Sequence, residues 1–151
     1  MDRNEIINGC IKVESAAASI YSKFMQVFPE KQDFWEELYN DEKEHISFLS
    51  DVKLLDLSDE VRKMNLLPSK STIKEVLKLS DKISQKISSG PVTFSEALKL
   101  SLKLEESMVE TYTNKLISSL LSYDNEACFD TFITSEKNHE EKIKKMLEKA
   151  G

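Results

Sequence analysis

Helix breakers are scarce in this chain: 151 residues contain three glycines and three prolines. So few breakers leave long uninterrupted segments rich in Leu, Lys, Glu and Ser, and this points to an all-α protein. Runs of β-branched and aromatic residues with period two, the signal of a strand, are nearly absent. The length suits one domain with a four-helix core and excludes a second catalytic domain. Cysteine is scarce too. Cys10 and Cys128 are far apart and neither belongs to a Cys-x-x-Cys pair, which removes the case for a zinc ribbon, a cysteine-ligated iron centre or a thioredoxin-like motif. Each is expected as a small buried apolar residue. No apolar run approaches eighteen residues, and Met1-Asp2-Arg3-Asn4-Glu5 lacks the basic segment, apolar run and cleavage site of a leader, so the expectation is a soluble, cytoplasmic protein with no membrane association. The formal charge is −6, with acidic and basic residues interleaved and no basic cluster, so nucleic acid is not expected as a partner.

Apolar residues recur at steps of three and four along most of the chain. The first helix is expected from about Arg3 to Phe28, with Ile7, Cys10, Ala17, Tyr21, Met25 and Phe28 on one stripe. Pro29 suits the first turn of a second helix from about Glu30 to Leu55, and so short a link makes the two antiparallel neighbours. A long connection follows, holding an amphipathic helix from about Thr72 to Ser89 that Thr72 and Glu75 start as a capping box. Its apolar residues, Ile73, Val76, Leu77, Ile83 and Ile87, would be buried in cis or against a second subunit. Thr93 and Glu96 form the next capping box, opening a helix from about Phe94 to Ser122, and the last helix runs from about Asn125 to Lys149. Two helix hairpins joined by a long crossover are the ferritin-like form of the four-helix bundle.

Histidine occurs twice, and both copies stand three residues after a glutamate: Glu42-Lys43-Glu44-His45 and Glu136-Lys137-Asn138-His139. On a helix positions i and i+3 share a face, so each copy offers a carboxylate and an imidazole to one point. A single Glu-x-x-His arises often on charged helix faces, but here the flanks repeat as well. Trp35 and Leu38 stand seven and four residues before Glu42, and Phe129 and Phe132 stand so before Glu136. Leu49 and Val52 follow His45 by four and seven, as Ile143 and Met146 follow His139. Glu14 and Tyr21 are likewise echoed by Glu105 and Tyr112, seven residues apart in both cases.

Glu14, Glu42, His45, Glu105, Glu136 and His139 thus lie on apolar stripes, where unpaired carboxylates are costly. Two divalent ions would balance the four carboxylates, and one bridging oxide would balance the further charge of two trivalent ions. In the arrangement expected, Glu42 and Glu136 bridge two metals about 3.5–4 Å apart, Glu14 with His45 completes one, and Glu105 with His139 the other. Oxygen and nitrogen donors favour iron or manganese, and zinc also fits the ligand type. Glu106, on an adjacent stripe with Leu102, Val109 and Ile117, competes with Glu105, which shares its face with Leu98, Met108, Tyr112 and Leu116. Tyr21 and Tyr112 are candidates for catalytic support through hydrogen bonds to carboxylates, or are packed core tyrosines.

On Glu14 with Tyr21, Phe34-Trp35 ahead of Asp41-Glu42-Lys43-Glu44-His45, Glu105, and Glu136-Lys137-Asn138-His139, the chain resembles the ferritin-like superfamily and, within it, the diiron domain of rubrerythrin. The resemblance spans nearly the whole chain. It implies that those six Glu and His residues hold two irons, oxo-bridged when oxidised, and that the ferrous pair reduces hydrogen peroxide to water. Typical rubrerythrins add a rubredoxin-like tail with two Cys-x-x-Cys pairs. This chain ends at Gly151 without one, so an electron donor in trans, such as a rubredoxin-like protein, is expected. Met108 stands where the family often has a further glutamate that exchanges with a histidine, and this puts a redox-linked ligand exchange in doubt. A ferroxidase or iron-handling role, with dioxygen as oxidant, is the alternative; a cage loses weight because no short helix follows the fourth. A third reading is a non-catalytic helical module held together by metal. A homodimer is the expected assembly.

Overall fold

The computed structural model describes residues 3–54, 67–107 and 139–150. Five helices account for nearly all of them: α1 (Arg3–Val27), α2 (Gln32–Leu54), α3 (Lys70–Ser89), α4 (Phe94–Glu105) and α5 (residues 139–150). No strand occurs among the described residues. None of the described helices is long and apolar enough to cross a membrane.

The helix ends follow local chemistry and correct the expected boundaries. Pro29 does not start α2 directly. It opens a short 3-10 turn, Pro29–Lys31, closed by the Lys31 N–H on the Phe28 carbonyl at 2.9 Å, and α2 begins after it. The Thr72 capping box is not the start of α3 either. Ser69 is the N-cap, its Oγ accepting from the Thr72 N–H at 3.1 Å, so the helix begins three residues earlier than Thr72 marks, at Lys70, just past Pro68. Thr93 does cap α4, accepting from the Glu96 N–H at 3.1 Å. α4 was expected to run unbroken to Ser122, but it stops at Glu105. There Glu106 adopts φ −81°, ψ −2°, its N–H donates to the Leu102 carbonyl at 2.9 Å and the Ser107 N–H donates to the Leu104 carbonyl at 3.1 Å, the tightened geometry of a helix end.

Two apolar layers fix the directions of the helices. In one, Ile7, Cys10 and Val13 of α1 pack with Leu49 and Val52 of α2 and Ile73 and Val76 of α3. In the other, Ala17, Ile20, Tyr21 and Phe24 of α1, with Phe28 just past its end, pack with Trp35 and Leu38 of α2, Ile83 of α3, Ala97, Leu98 and Leu104 of α4, and Ile143 of α5. α1 therefore runs from the first layer to the second and α2 runs back, an antiparallel pair. α3 follows the direction of α1. Of the two covers the sequence allows for its apolar face, this chain or a second subunit, α1 provides one in cis, and Gly9 lets the helices come close: a Cβ there would stand 3.0 Å from Ile73 Cδ1.

Trp35 is the centre of the second layer. Its ring lies 4.7 Å from Phe24, 4.9 Å from Phe34, 5.9 Å from Phe94 and 6.0 Å from Tyr21, centroid to centroid. Tilted and edge-on ring pairs at such distances add to what burial alone contributes. This aromatic plug ties the start of α2 to the C-terminal part of α1 and to the start of α4. The ligand-type side chains lie between it and the first layer.

Candidate metal centre

On α1 the apolar stripe passes from Cys10 and Val13 to Ala17 and Tyr21, and Glu14 interrupts it. On α2 the stripe passes from Leu38 to Leu49, and Glu42 and His45 interrupt it. The same helical period that buries the flanking residues therefore buries these polar ones. Glu14 and Glu42 have no exposed surface, His45 is 1 % exposed, His139 2 % and Glu105 6 %. α5 carries His139 into the same layer, with Ile143 one turn on in the aromatic layer. An ion pair between Lys142 and Glu37 joins α5 to α2 at the surface.

Five of the six expected ligands meet. Glu14, Glu42 and His45 form one group and Glu42, Glu105 and His139 a second, each offering ligand atoms that lie within 4.8 Å of one another. His45 Nδ1 is 3.4 Å from Glu14 Oε2 and 3.6 Å from Glu42 Oε2, and His139 Nδ1 is 3.6 Å from Glu105 Oε2. Glu42 belongs to both groups, the position a bridging carboxylate requires. Glu136, the second expected bridge, and Tyr112 lie outside the described residues. Of the two competing glutamates, Glu105 at the end of α4 faces the site, while Glu106, its C-cap, is exposed.

Tyr21 is buried and its hydroxyl donates to Glu105 Oε1 at 2.6 Å. It thus supports a carboxylate of α4, 84 residues away in the chain, and does so from the aromatic layer, where its ring stacks on Trp35 at 24° between planes.

One residue of the site escaped the sequence reading. Asp41 Oδ2 lies 2.5 Å from His139 Nε2, on the ring edge opposite the Nδ1 that faces Glu105. With Nε2–H donating to Asp41, the Nδ1 lone pair is left pointing at the carboxylates, the tautomer a metal ligand needs. A signal did exist: Asp41 immediately precedes Glu42, and the two are about 100° apart round the helix. An acid beside a charged motif also describes a solvated face, however, so spacing alone did not single it out.

The donor set fits hard or borderline cations. Among the described residues it consists of carboxylate oxygens and imidazole nitrogens with no thiolate, buried between two apolar layers. Carboxylates gathered this closely repel one another, and divalent ions placed among them would reverse the sign of that interaction. Each of the two groups could hold a metal ion. Searches against family models, curated proteins and solved structures return no match.

Proposed function

We propose that the chain is a ferritin-like four-helix bundle built from α1, α2, α4 and α5, with α3 as its crossover, and that it acts in the cytoplasm as a diiron oxidoreductase reducing hydrogen peroxide. The sharing of Glu42 by two Glu/His groups is the observation that carries this reading, because separate mononuclear sites need no common carboxylate. The helix directions support it: α4 starts in the aromatic layer and ends at Glu105 beside the site, as α2 passes from Trp35 to Glu42, whereas α5 leaves the site toward that layer, as α1 does.

Glu14, Glu42 and His45 would hold one iron and Glu42, Glu105 and His139 the other, with Glu136 as a further ligand. Two ferrous ions, if held there, would supply the two electrons that, with two protons, convert hydrogen peroxide to two water molecules. The chain contributes the surroundings. Asp41 fixes the ring of His139, and the Tyr21 hydroxyl donates to Glu105 Oε1 at an oxygen–oxygen distance of 2.6 Å, restraining that carboxylate. The two apolar layers exclude bulk water, which strengthens every charge interaction between them.

Adding peroxide in small steps to anaerobically reduced, iron-loaded protein tests the reading. One peroxide should oxidise one two-iron site, and do so faster than dioxygen. Preferential oxidation by dioxygen would favour a ferroxidase, and metal binding without a redox response would favour a purely structural centre.

A further inference from the structure

Lys70, Lys74, Lys78, Lys82 and Lys86 recur at every fourth position along the whole of α3, and all five are exposed. In the sequence they are interleaved with other residues and do not read as a basic cluster; the helix collects them. Four residues advance a helix by about 6 Å and by 40° beyond a full turn, so the lysines form a ridge roughly 24 Å long that winds about 160° round the helix. The opposite face, with Ile73, Val76 and Ile83, is buried.

Two features set this ridge apart from an ordinary solvated face. Lysines four residues apart repel, so the ladder works against its own helix. Only Glu75 and Asp81 lie on α3 to offset it, and none of the five lysines is in an ion pair with another described residue. The ridge also opposes the charge of the molecule: outside α3 the chain carries 25 acidic against 16 basic residues.

We propose that this ridge is the docking surface for an acidic protein that carries one electron at a time to the buried site. The proposal rests on the diiron reading above, under which two reduced carriers are oxidised for each peroxide converted to water. Charge complementarity selects an acidic surface, and the form of the ridge selects among acidic partners. A flat anionic membrane would meet only part of a ridge that winds so far, and Ser71 and Gln85 on the exposed face offer nothing to insert. Nucleic acid fits poorly, because no arginine or aromatic side chain lies on this face to read or stack on bases. A lasting dimer with a second copy needs apolar area that the ridge lacks, since exposed ion pairs alone do not offset the freedom lost on association. A brief, salt-screened encounter is what an electron carrier requires, because it must leave after each delivery. The location suits it as well: α3 packs directly on α1, the helix that carries Glu14.

The test compares the unaltered protein, a ridge variant (Lys74→Glu, Lys78→Glu, Lys82→Glu) and a charge-matched control (Lys99→Glu, Lys103→Glu, Lys145→Glu), all checked for helix content by circular dichroism. Metal-free protein is titrated with fluorescent poly-L-glutamate. The unaltered chain and the control should bind alike, at least tenfold more tightly than the ridge variant, and lose at least tenfold between low and physiological salt. Equal binding by ridge variant and control would overturn the proposal, as would tighter binding of anionic phospholipid vesicles or duplex DNA. In a second arm, oxidised iron-loaded protein is reduced by a reduced flavodoxin, an acidic one-electron carrier, or by dithionite. The ridge variant should be at least tenfold slower with flavodoxin and unchanged with dithionite; slowing by both, or by neither, would overturn the docking role. If dithionite reduces no form, the diiron reading itself fails, whatever the ridge binds.

Discussion

Glu42→Gln should remove nearly all metal-induced stabilisation, because Glu42 is the one described residue common to both ligand groups. An ion present at a hundredfold its Kd stabilises a protein by about 2.7 kcal/mol, so two sites contribute roughly 5 kcal/mol. For a chain of this length each kcal/mol moves Tm by roughly 2–4 °C. The unaltered protein should therefore gain on the order of 10–20 °C when manganese(II), which stays divalent in air, is added to the metal-free form. Glu14→Gln and Glu105→Gln each impair one group and should retain about half of that gain. Glu42→Gln should retain almost none, and its metal-free form should be at least as stable as the unaltered metal-free protein, since a neutral amide replaces a buried carboxylate. Scanning calorimetry with and without manganese measures all four proteins. A gain in Glu42→Gln as large as that in Glu14→Gln would refute the shared carboxylate.

Asp41→Asn should weaken metal binding about 10–100-fold at the His139 group and leave the His45 group unchanged, seen as one weakened phase of two in a calorimetric titration. Tyr21→Phe deprives the buried Glu105 carboxylate of its 2.6 Å donor and should cost about 1.5–3 kcal/mol in metal-free protein, measured by urea unfolding. Gly9→Leu should destabilise by about 1–3 kcal/mol through overpacking on Ile73, and Ile73→Ala in the same chain should recover part of that loss. Trp35→Ala, which empties the centre of the aromatic layer, should cost about 3–5 kcal/mol.

The helical class, the antiparallel pair α1 and α2, and the gathering of Glu14, Glu42, His45, Glu105 and His139 were legible because one period governs them all. A polar residue on an apolar stripe is carried inward by its neighbours, and the i, i+3 spacing of Glu42 and His45 aims both side chains one way. What could not be read depends on contacts between helices or on competition between local signals. Tyr21 lies on the helix of Glu14 yet supports Glu105, and Asp41 meets a histidine 98 residues away, pairings that only the packing of α1, α2, α4 and α5 creates. At the start of α3, Thr72 and Glu75 matched a capping box, but Ser69 stood three residues earlier with an equally good oxygen and won. The lysines of α3 looked interleaved because charge was read along the chain and not round the helix. Glu136 and Tyr112, which complete the repeat in the sequence, lie outside the described residues.

The most direct test of a two-metal centre is a crystal structure of the iron-loaded protein with anomalous diffraction at the iron edge. Two peaks about 3.5–4 Å apart, with the Glu42 carboxylate between them and Glu14 with His45 and Glu105 with His139 on the outer sides, are the expected result. A single peak, or two with Glu42 bound to one ion alone, would contradict it.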